Sequence, residues 1–463
     1  MLALFAIVIG YQLFVEPLLG IADNGDFPRL LQPARLVEQT IEYNDRYFHY
    51  FNSRYSIAPW QGGLPAYKSS SILFADLARV LNVAFVDDAV FDVRVLAAVY
   101  LLCFLAGIHL ILVSSRSLSS RWRMALAAGL LVMFTDPAYT AYFNSFYSEP
   151  TVLVCLVLMV GCSLLLVTGQ TSSWMALAGY VLAAAVLITA KPMFVACALV
   201  VAPHGLYLSR LTAVKSRSWL SGGLACGLLL LAAWYYTQTP ERLRASTHYI
   251  AVFSVLLRQS SAPERDGREL GLKPEWIRYA GTGPYSASSP ALDSAFHAEF
   301  IGRVNTLTVP KFFLRHPGHF HKVVSDVARK VSVTKLAYAG YYEKKTGKPP
   351  LTKPPAPWSD VRRWLMPRSI WFFLAYFCSG LLALVLGTRR HIEEPRRGLL
   401  LLYGVLTAFC AVVFFVPVLA AAAFDMRYSI TFVAAFDGTL ILAVGAMGWW
   451  ARARVLPFVR ARS

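Results

Sequence analysis

Apolar residues come in long blocks along this chain, separated by short polar turns and by two long stretches of mixed character. The blocks lie at 1–20, 93–114, 123–135, 150–168, 174–190, 193–209, 219–236, 369–387, 399–420 and 429–450. Most have the roughly 17–25 residues a helix needs to cross a hydrocarbon core about 30 Å thick. The block at 123–135 is short and needs its aromatic flank to complete a span. Unpaired backbone groups are costly in lipid, so such spans fold as helices. The pattern predicts an all-α polytopic membrane protein of about ten transmembrane helices. Residues 1–20 lack the basic start of a cleaved signal peptide and read as the first span.

The long stretches, 21–92 and 237–368, divide the chain into a transmembrane module (1–236), a cap segment (237–368) and a second transmembrane module (369–463). In the first stretch, "SSSILFADLARVLNVAF" (69–85) sets Ile72, Leu73, Leu77, Val80, Leu81 and Ala84 on one helical face, with Asp76, Arg79 and Asn82 elsewhere. This predicts an amphipathic helix that either lies in the membrane interface or packs on a protein core. The second stretch reads as helical near 241–258 and 309–340, around the Gly/Ser/Pro-rich "GTGPYSASSP" (281–290). It ends in the stiff "KKTGKPPLTKPPAPW" (344–358). At this length the stretch is expected to cap the helices rather than merely connect them.

Composition agrees: 57% of the 463 residues are hydrophobic and 15% charged, which excludes an ordinary soluble protein. Charge adds an orientation. Short loops on one side carry Arg116, Arg121, Arg123, Arg210, Lys215, Arg217, Arg389, Arg390, Arg396, Arg397, Arg452, Arg454, Arg460 and Arg462, whereas the short turns opposite carry Lys191 and Arg427. The positive-inside rule puts the first set and both termini in the cytoplasm, and both long stretches outside the inner (plasma) membrane. Segment 237–368 has 21 Lys and Arg against 10 Asp and Glu. That excess suggests membrane lipid phosphate as an anionic neighbour, and no nucleic acid. All seven cysteines lie in or beside the apolar blocks, so no disulfide framework is expected outside.

Four polar clusters are candidates for chemistry. "ADNGDFPR" (22–29) offers Asp23, Asp26 and Arg29, although Asn-Gly also forms turns and Asp and Pro also start helices. "TDPAYTAYFNSFYSEP" (135–150) brings Asp136, Asn144, Tyr147 and Glu149 into one hinge. Each acid precedes a proline, as a simple helix cap would. "FDMRYS" (424–429) holds Asp425, Arg427 and Tyr428, which a salt bridge or snorkelling would also explain. "FFLRHPGHFHKV" (312–323) holds Arg315, His316, His319 and His321. Histidine spacings of three and two around Pro317-Gly318 do not suit one helix face. A phosphate-facing basic patch or ordinary loop surface is the better reading there, and no metal ligand set is assigned. All four clusters are predicted on one side of the membrane, where an acid can take a proton from a sugar hydroxyl and a cation can stabilise a departing phosphate.

The helical layout, with "DNGDFPR", "YFNSFYSEP" and the late "RY", resembles the GT-C superfamily of membrane glycosyltransferases, and more narrowly the bacterial WsfD-type glycan hexosyltransferases. The resemblance in motifs covers about thirty residues. It implies a GT-C-like bundle with an outer-face cap, a polyprenyl-phosphate-linked sugar donor and a glycan or lipid-linked acceptor. It also implies a catalytic acid in the first outer loop, carried by Asp26 with Asp23 as its rival. Glu149 would sit at the entry to the fourth span and Arg427-Tyr428 near the lipid phosphate. One departure stands out: Asp23-Asn24-Gly25-Asp26 replaces the adjacent acidic pair common elsewhere in the superfamily, so the base is ambiguous. In this reading Glu149 and Asn144 bond sugar hydroxyls, the tyrosines stack on the ring, and Asp136 orients its neighbours. The competing expectations are a lipid or solute transporter or flippase, for which Lys191 and Asp437 are the midplane candidates, and a non-catalytic assembly component with segment 237–368 as its partner surface.

Overall fold

The computed structural model describes residues 1–59, 67–212, 218–389 and 391–460. Lys215, Arg217, Arg390 and Arg462 of the charge tally lie outside the described residues. The predicted apolar blocks form helices. Among the described residues, six are long and apolar enough to cross a membrane: Val93–Ser117, Glu149–Val167, Pro192–Ser209, Ile370–Thr388, Arg396–Ala421 and Tyr428–Gly448. A seventh results if Ser120–Phe134 and Pro137–Asn144, bent by 56°, form one broken span. The apolar helices Leu2–Phe14, Trp174–Ala190 and Gly222–Thr237 are shorter. The bend has a local cause. Asp136 is extended (φ −62°, ψ 130°) before Pro137, and its Oδ1 accepts the Ala138 N–H at 2.9 Å, starting a new helix in a new direction.

The first long stretch departs from the all-α expectation. Leu36–Glu38, Arg54–Ile57 and Val90–Asp92 form a three-stranded antiparallel sheet with Arg54–Ile57 central, pairing Leu36 with Ile57 and Arg54 with Asp92. Strands this short alternate too few times to show a period of two. The helix Ser71–Phe85 decides between its two predicted environments. It buries Ser71, Ala75, Ala78 and Asn82 against the protein, while Leu73, Leu77, Val80 and Phe85 face away from it. The apolar face is therefore split, with Ile72 and Leu81 packed partly against the core and Leu73, Leu77 and Val80 left exposed. Asn82 fixes the turn that follows, donating to the Asp87 and Val90 carbonyls at 2.7 and 2.9 Å and accepting from the Asp92 N–H at 2.9 Å.

The two long stretches are joined through their backbones. Gly20 and Ala22 donate to the carbonyls of Tyr341 and Gly340, Gly340 donates to Phe48, and Phe51 donates to Tyr342. A Cβ on Gly340 would lie 1.9 Å from the His49 carbonyl oxygen, so only glycine permits this approach. Farther on, the expected helix at 309–340 is split into Thr308–Arg315 and Pro317–Lys330 and is followed by irregular chain. The last helix of the segment, Pro357–Leu365, is tied onto the bundle through Asp136 and Asp437. These ties bring the first loop, the hinge and the start of the last helix together at one end of the bundle.

Candidate functional site

Asp23 builds the turn that presents Asp26. Its Oδ1 accepts the Gly25 and Phe27 N–H groups at 2.7 and 3.0 Å, and Gly25 has a φ of +97°, which glycine adopts without strain. Pro28 then opens the short helix Pro28–Leu31, setting Arg29 one turn beyond Asp26, and their side chains pair at 3.0 Å. Arg427 reaches in from just before the last helix. Its Nε and Nη2 hold Asp425 Oδ2 at 3.0 and 2.6 Å, and its Nη1 donates to Asp26. Its guanidinium carbon lies 5.1 Å from the Tyr147 ring centre, and Tyr338 donates to Asp425 at 3.0 Å. Lys191, at the end of Trp174–Ala190, pairs with Glu149 at 3.0 Å and lies 4.7 Å from the Tyr428 ring centre.

These groups wall a small cleft, lined by Asp26, Arg29, Tyr67, Tyr147, Glu149, Lys191 and Arg427 among others. Three cations face two carboxylates there, with Asp425 behind them. Burial pushes the Asp26 carboxyl upward, but Arg427, Arg29 and Lys191 together outweigh it and hold the group well below the usual carboxylate range. Asp425 is lowered in the same way, Arg427 overcoming burial. Asp23 is its opposite: burial raises it to about 6 against the opposing pull of its N–H bonds, and its Oδ2 has no partner. Glu38 is likewise raised to about 7, by burial and then by the charge of Asp23.

Of the sequence candidates, Asp26, Arg29, Tyr147, Glu149 and Arg427 line the cleft, Tyr428 backs Lys191, and Asp23 lies behind the turn. Asp136 and Asn144 do not line it. Asp136 accepts the Ser359 N–H and hydroxyl, each at 3.0 Å, while fully buried Asn144 donates to the Leu13 and Leu19 carbonyls at 3.1 and 2.8 Å. Both act as ties within the bundle through these bonds, although Asn144 Oδ1 is buried without a partner. Arg315 is exposed and His316 lies 2.6 Å from Glu269, so neither belongs to the cleft lining either. Lys191, named above as a midplane candidate for transport, and Tyr67 also line the cleft. For Lys191 a signal existed, since a lysine between two apolar blocks is costly unless it has a partner. Tyr338 had none, because it lies in irregular chain far from every motif.

A cation-lined pocket with a half-buried, ionised carboxylate can bind a phosphorylated or otherwise anionic group and, once the cations are drawn to that group, accept a proton. No curated protein and no solved structure matches this chain. One family model does, over residues 1–454, so this multi-pass membrane protein belongs to the family described as the YfdI N-terminal transmembrane domain.

Proposed function

We propose that the protein is a GT-C-type, WsfD-like glycosyltransferase. It moves a hexose from a polyprenyl-phosphate donor to a glycan or lipid-linked acceptor on the outer face of the plasma membrane, using ten spans with both termini in the cytoplasm. One observation carries the reading: Asp26, Arg29, Glu149, Lys191 and Arg427 come from four separate parts of the chain and wall a single cleft. In the reaction the bond from the anomeric carbon to the phosphate oxygen breaks, and a bond to the acceptor hydroxyl oxygen forms. The hydroxyl proton goes to Asp26, and the lipid phosphate leaves with the electron pair, held by Arg427 with Lys191.

The Asp26–Arg427 pair gives this scheme a trigger. With both arginines on it, Asp26 is a poor base. A phosphate that draws Arg427 and Arg29 toward itself removes what depresses the carboxyl, so basicity returns only when donor is bound. Glu149 Oε2, buried and without a partner, is left for the sugar. Asp23 is the weaker choice of base, since one of its oxygens already holds the turn. Transport is less favoured, because Asp437 is fully buried in an ion pair with Arg362.

The test is transfer of labelled sugar from a panel of polyprenyl-phosphate sugars by the purified protein in nanodiscs. Transfer from at least one donor is expected, with Asp26→Asn reducing it by roughly 10²-fold or more. A fully folded wild type inert with the whole panel would end the proposal. The orientation has its own check. Ser286→Cys should react with an impermeant thiol reagent on intact cells, and protection until lysis would reverse the assignment.

A further inference from the structure

A second constellation, none of whose residues lines the cleft, forms where two helix junctions of segment 237–368 meet. Asp266 and Glu269 lie one turn apart on the helix Pro263–Glu269. His316 closes Thr308–Arg315, and His319 sits in the first turn of Pro317–Lys330. Sequence spacing counts against three histidines on one helix face, and they are not on one. The break at Pro317 turns His316 and His319 toward the two acids, while His321 goes to Ser325 at 3.5 Å instead. His316 Nε2 lies 2.6 Å from Glu269 Oε2, and His319 Nε2 lies 3.7 Å from Asp266 Oδ2. The ligand atoms of Asp266, Glu269 and His316 all fall within 4.8 Å of one another, the one such group among the described residues.

We propose that Asp266, Glu269, His316 and His319 bind one divalent transition-metal ion of the zinc class. Zinc takes nitrogen and carboxylate oxygen at about 2.0–2.2 Å in a tetrahedron, which sets neighbouring donors about 3.4 Å apart. The His319–Asp266 separation already fits. His316 and Glu269 are at hydrogen-bond length, sharing a proton that the metal replaces as the two atoms move apart. Two carboxylates balance the charge of the ion, and two imidazoles favour zinc over magnesium or calcium, which prefer oxygen alone. The supports for the ligands are also in place. Ser260 donates to Asp266 Oδ2 at 2.6 Å, Arg265 donates to Oδ1 at 3.1 and 3.0 Å, and the His316 ring stacks on Phe312 with centres 4.4 Å apart. Such an ion pins Pro263–Glu269 to the junction of the other two helices and stiffens the segment.

The experiment uses the full chain without a histidine tag, stripped with chelator in detergent and then titrated with zinc by calorimetry. Parallel samples take cobalt, whose visible spectrum reports tetrahedral nitrogen-oxygen ligation in the unmodified protein without any substitution. Expected are one ion per chain, the tetrahedral cobalt spectrum, and a rise in unfolding temperature with zinc. His316→Ala and His319→Ala should each weaken binding by roughly 100-fold or more, whereas His321→Ala leaves it unchanged. An octahedral cobalt spectrum, no binding at submillimolar zinc, or binding that survives the double His316/His319 substitution would each overturn the proposal.

Discussion

Two clusters at the same end of the bundle are made from similar parts. In one, Arg427 sits 5.1 Å from the Tyr147 ring and pairs with Asp26 and Asp425, with the hinge acid Glu149 beside it on Lys191. In the other, Arg362 sits 5.6 Å from the Tyr139 ring and pairs with Asp437, with the hinge acid Asp136 beside it on Ser359. Each thus has an arginine over a hinge tyrosine, an acid opposite, and a second hinge acid alongside. Access separates them. Arg362 and Asp437 are 2% and 0% exposed, and Asp437 Oδ2 alone takes Tyr139, Trp358 and Arg362 at 2.7, 2.6 and 2.9 Å. Asp26 and Arg29 are 18% and 29% exposed, and the first cluster lines a cleft. The same residue types make a clamp where the ion pair is sealed from solvent, and a candidate binding site where they border a cleft.

The clamp should respond most strongly to substitution. Arg362→Met leaves Asp437 charged and unpaired in a fully buried site, at a cost of about 3–5 kcal/mol. Thermal unfolding in detergent should show it, and the double variant with Asp437→Leu should recover most of the loss. Sugar transfer per folded molecule should be unaffected in the double variant. A loss there would mean that the second cluster serves the chemistry and that the contrast is false.

Next in size are the cleft substitutions. Arg427→Lys keeps a charge but loses the planar fork that spans Asp425 and Asp26, so transfer should fall by roughly 10-fold to 100-fold while the protein stays folded. Asp26→Asn should cost at least as much activity and little stability. Normal turnover in both, with folding verified, would move the phosphate and the base elsewhere.

How far the sequence reveals these clusters depends on how far apart their parts lie along the chain. The apolar blocks, the Asn-Gly turn and the late Arg427 are local patterns, and each is legible. The hinge is not, because Asp136-Pro137 and Glu149-Pro150 are the same local signal, an acid at a helix start. What makes one a clamp and the other a cleft wall is Ser359 in one case and Lys191 in the other, and neither partner is near the hinge in sequence. The short strands and the backbone pairing of 340–342 with 20–22 and 48–51 were hidden for the same reason. Long-range pairing has no periodicity to read.

Asp23 offers a smaller effect with a definite sign. Its carboxyl is raised to about 6 in the folded protein from an ordinary value near 3.8, so the folded state holds the proton more tightly. Its contribution is present at low pH and is lost as pH rises between these two values, about 2–3 kcal/mol in all, before any coupling to Glu38. Asn at this position keeps the oxygen that accepts from Gly25 and Phe27 and removes the titration. Asp23→Asn should therefore flatten the stability profile between about pH 4 and 6 and leave the protein no less stable at neutral pH. Its transfer activity should exceed that of Asp26→Asn. The reverse ranking would assign the base to Asp23.

The smallest test separates the clusters through their tyrosines. The Tyr147 hydroxyl donates to the Ala22 carbonyl at 2.9 Å, a neutral bond within the protein, while the ring carries the contact with Arg427. Tyr147→Phe keeps the ring, so it should cost about 1 kcal/mol of stability and leave transfer nearly unchanged. The Tyr139 hydroxyl instead donates to Asp437 at 2.7 Å and accepts from Arg362 at 3.0 Å, two bonds to charged groups in a sealed site. Tyr139→Phe should therefore be the more destabilising of the two, by about 2–3 kcal/mol against native protein. If the two variants unfold at the same temperature, the sealed cluster is no tighter than the open one, and access alone does not distinguish clamp from site.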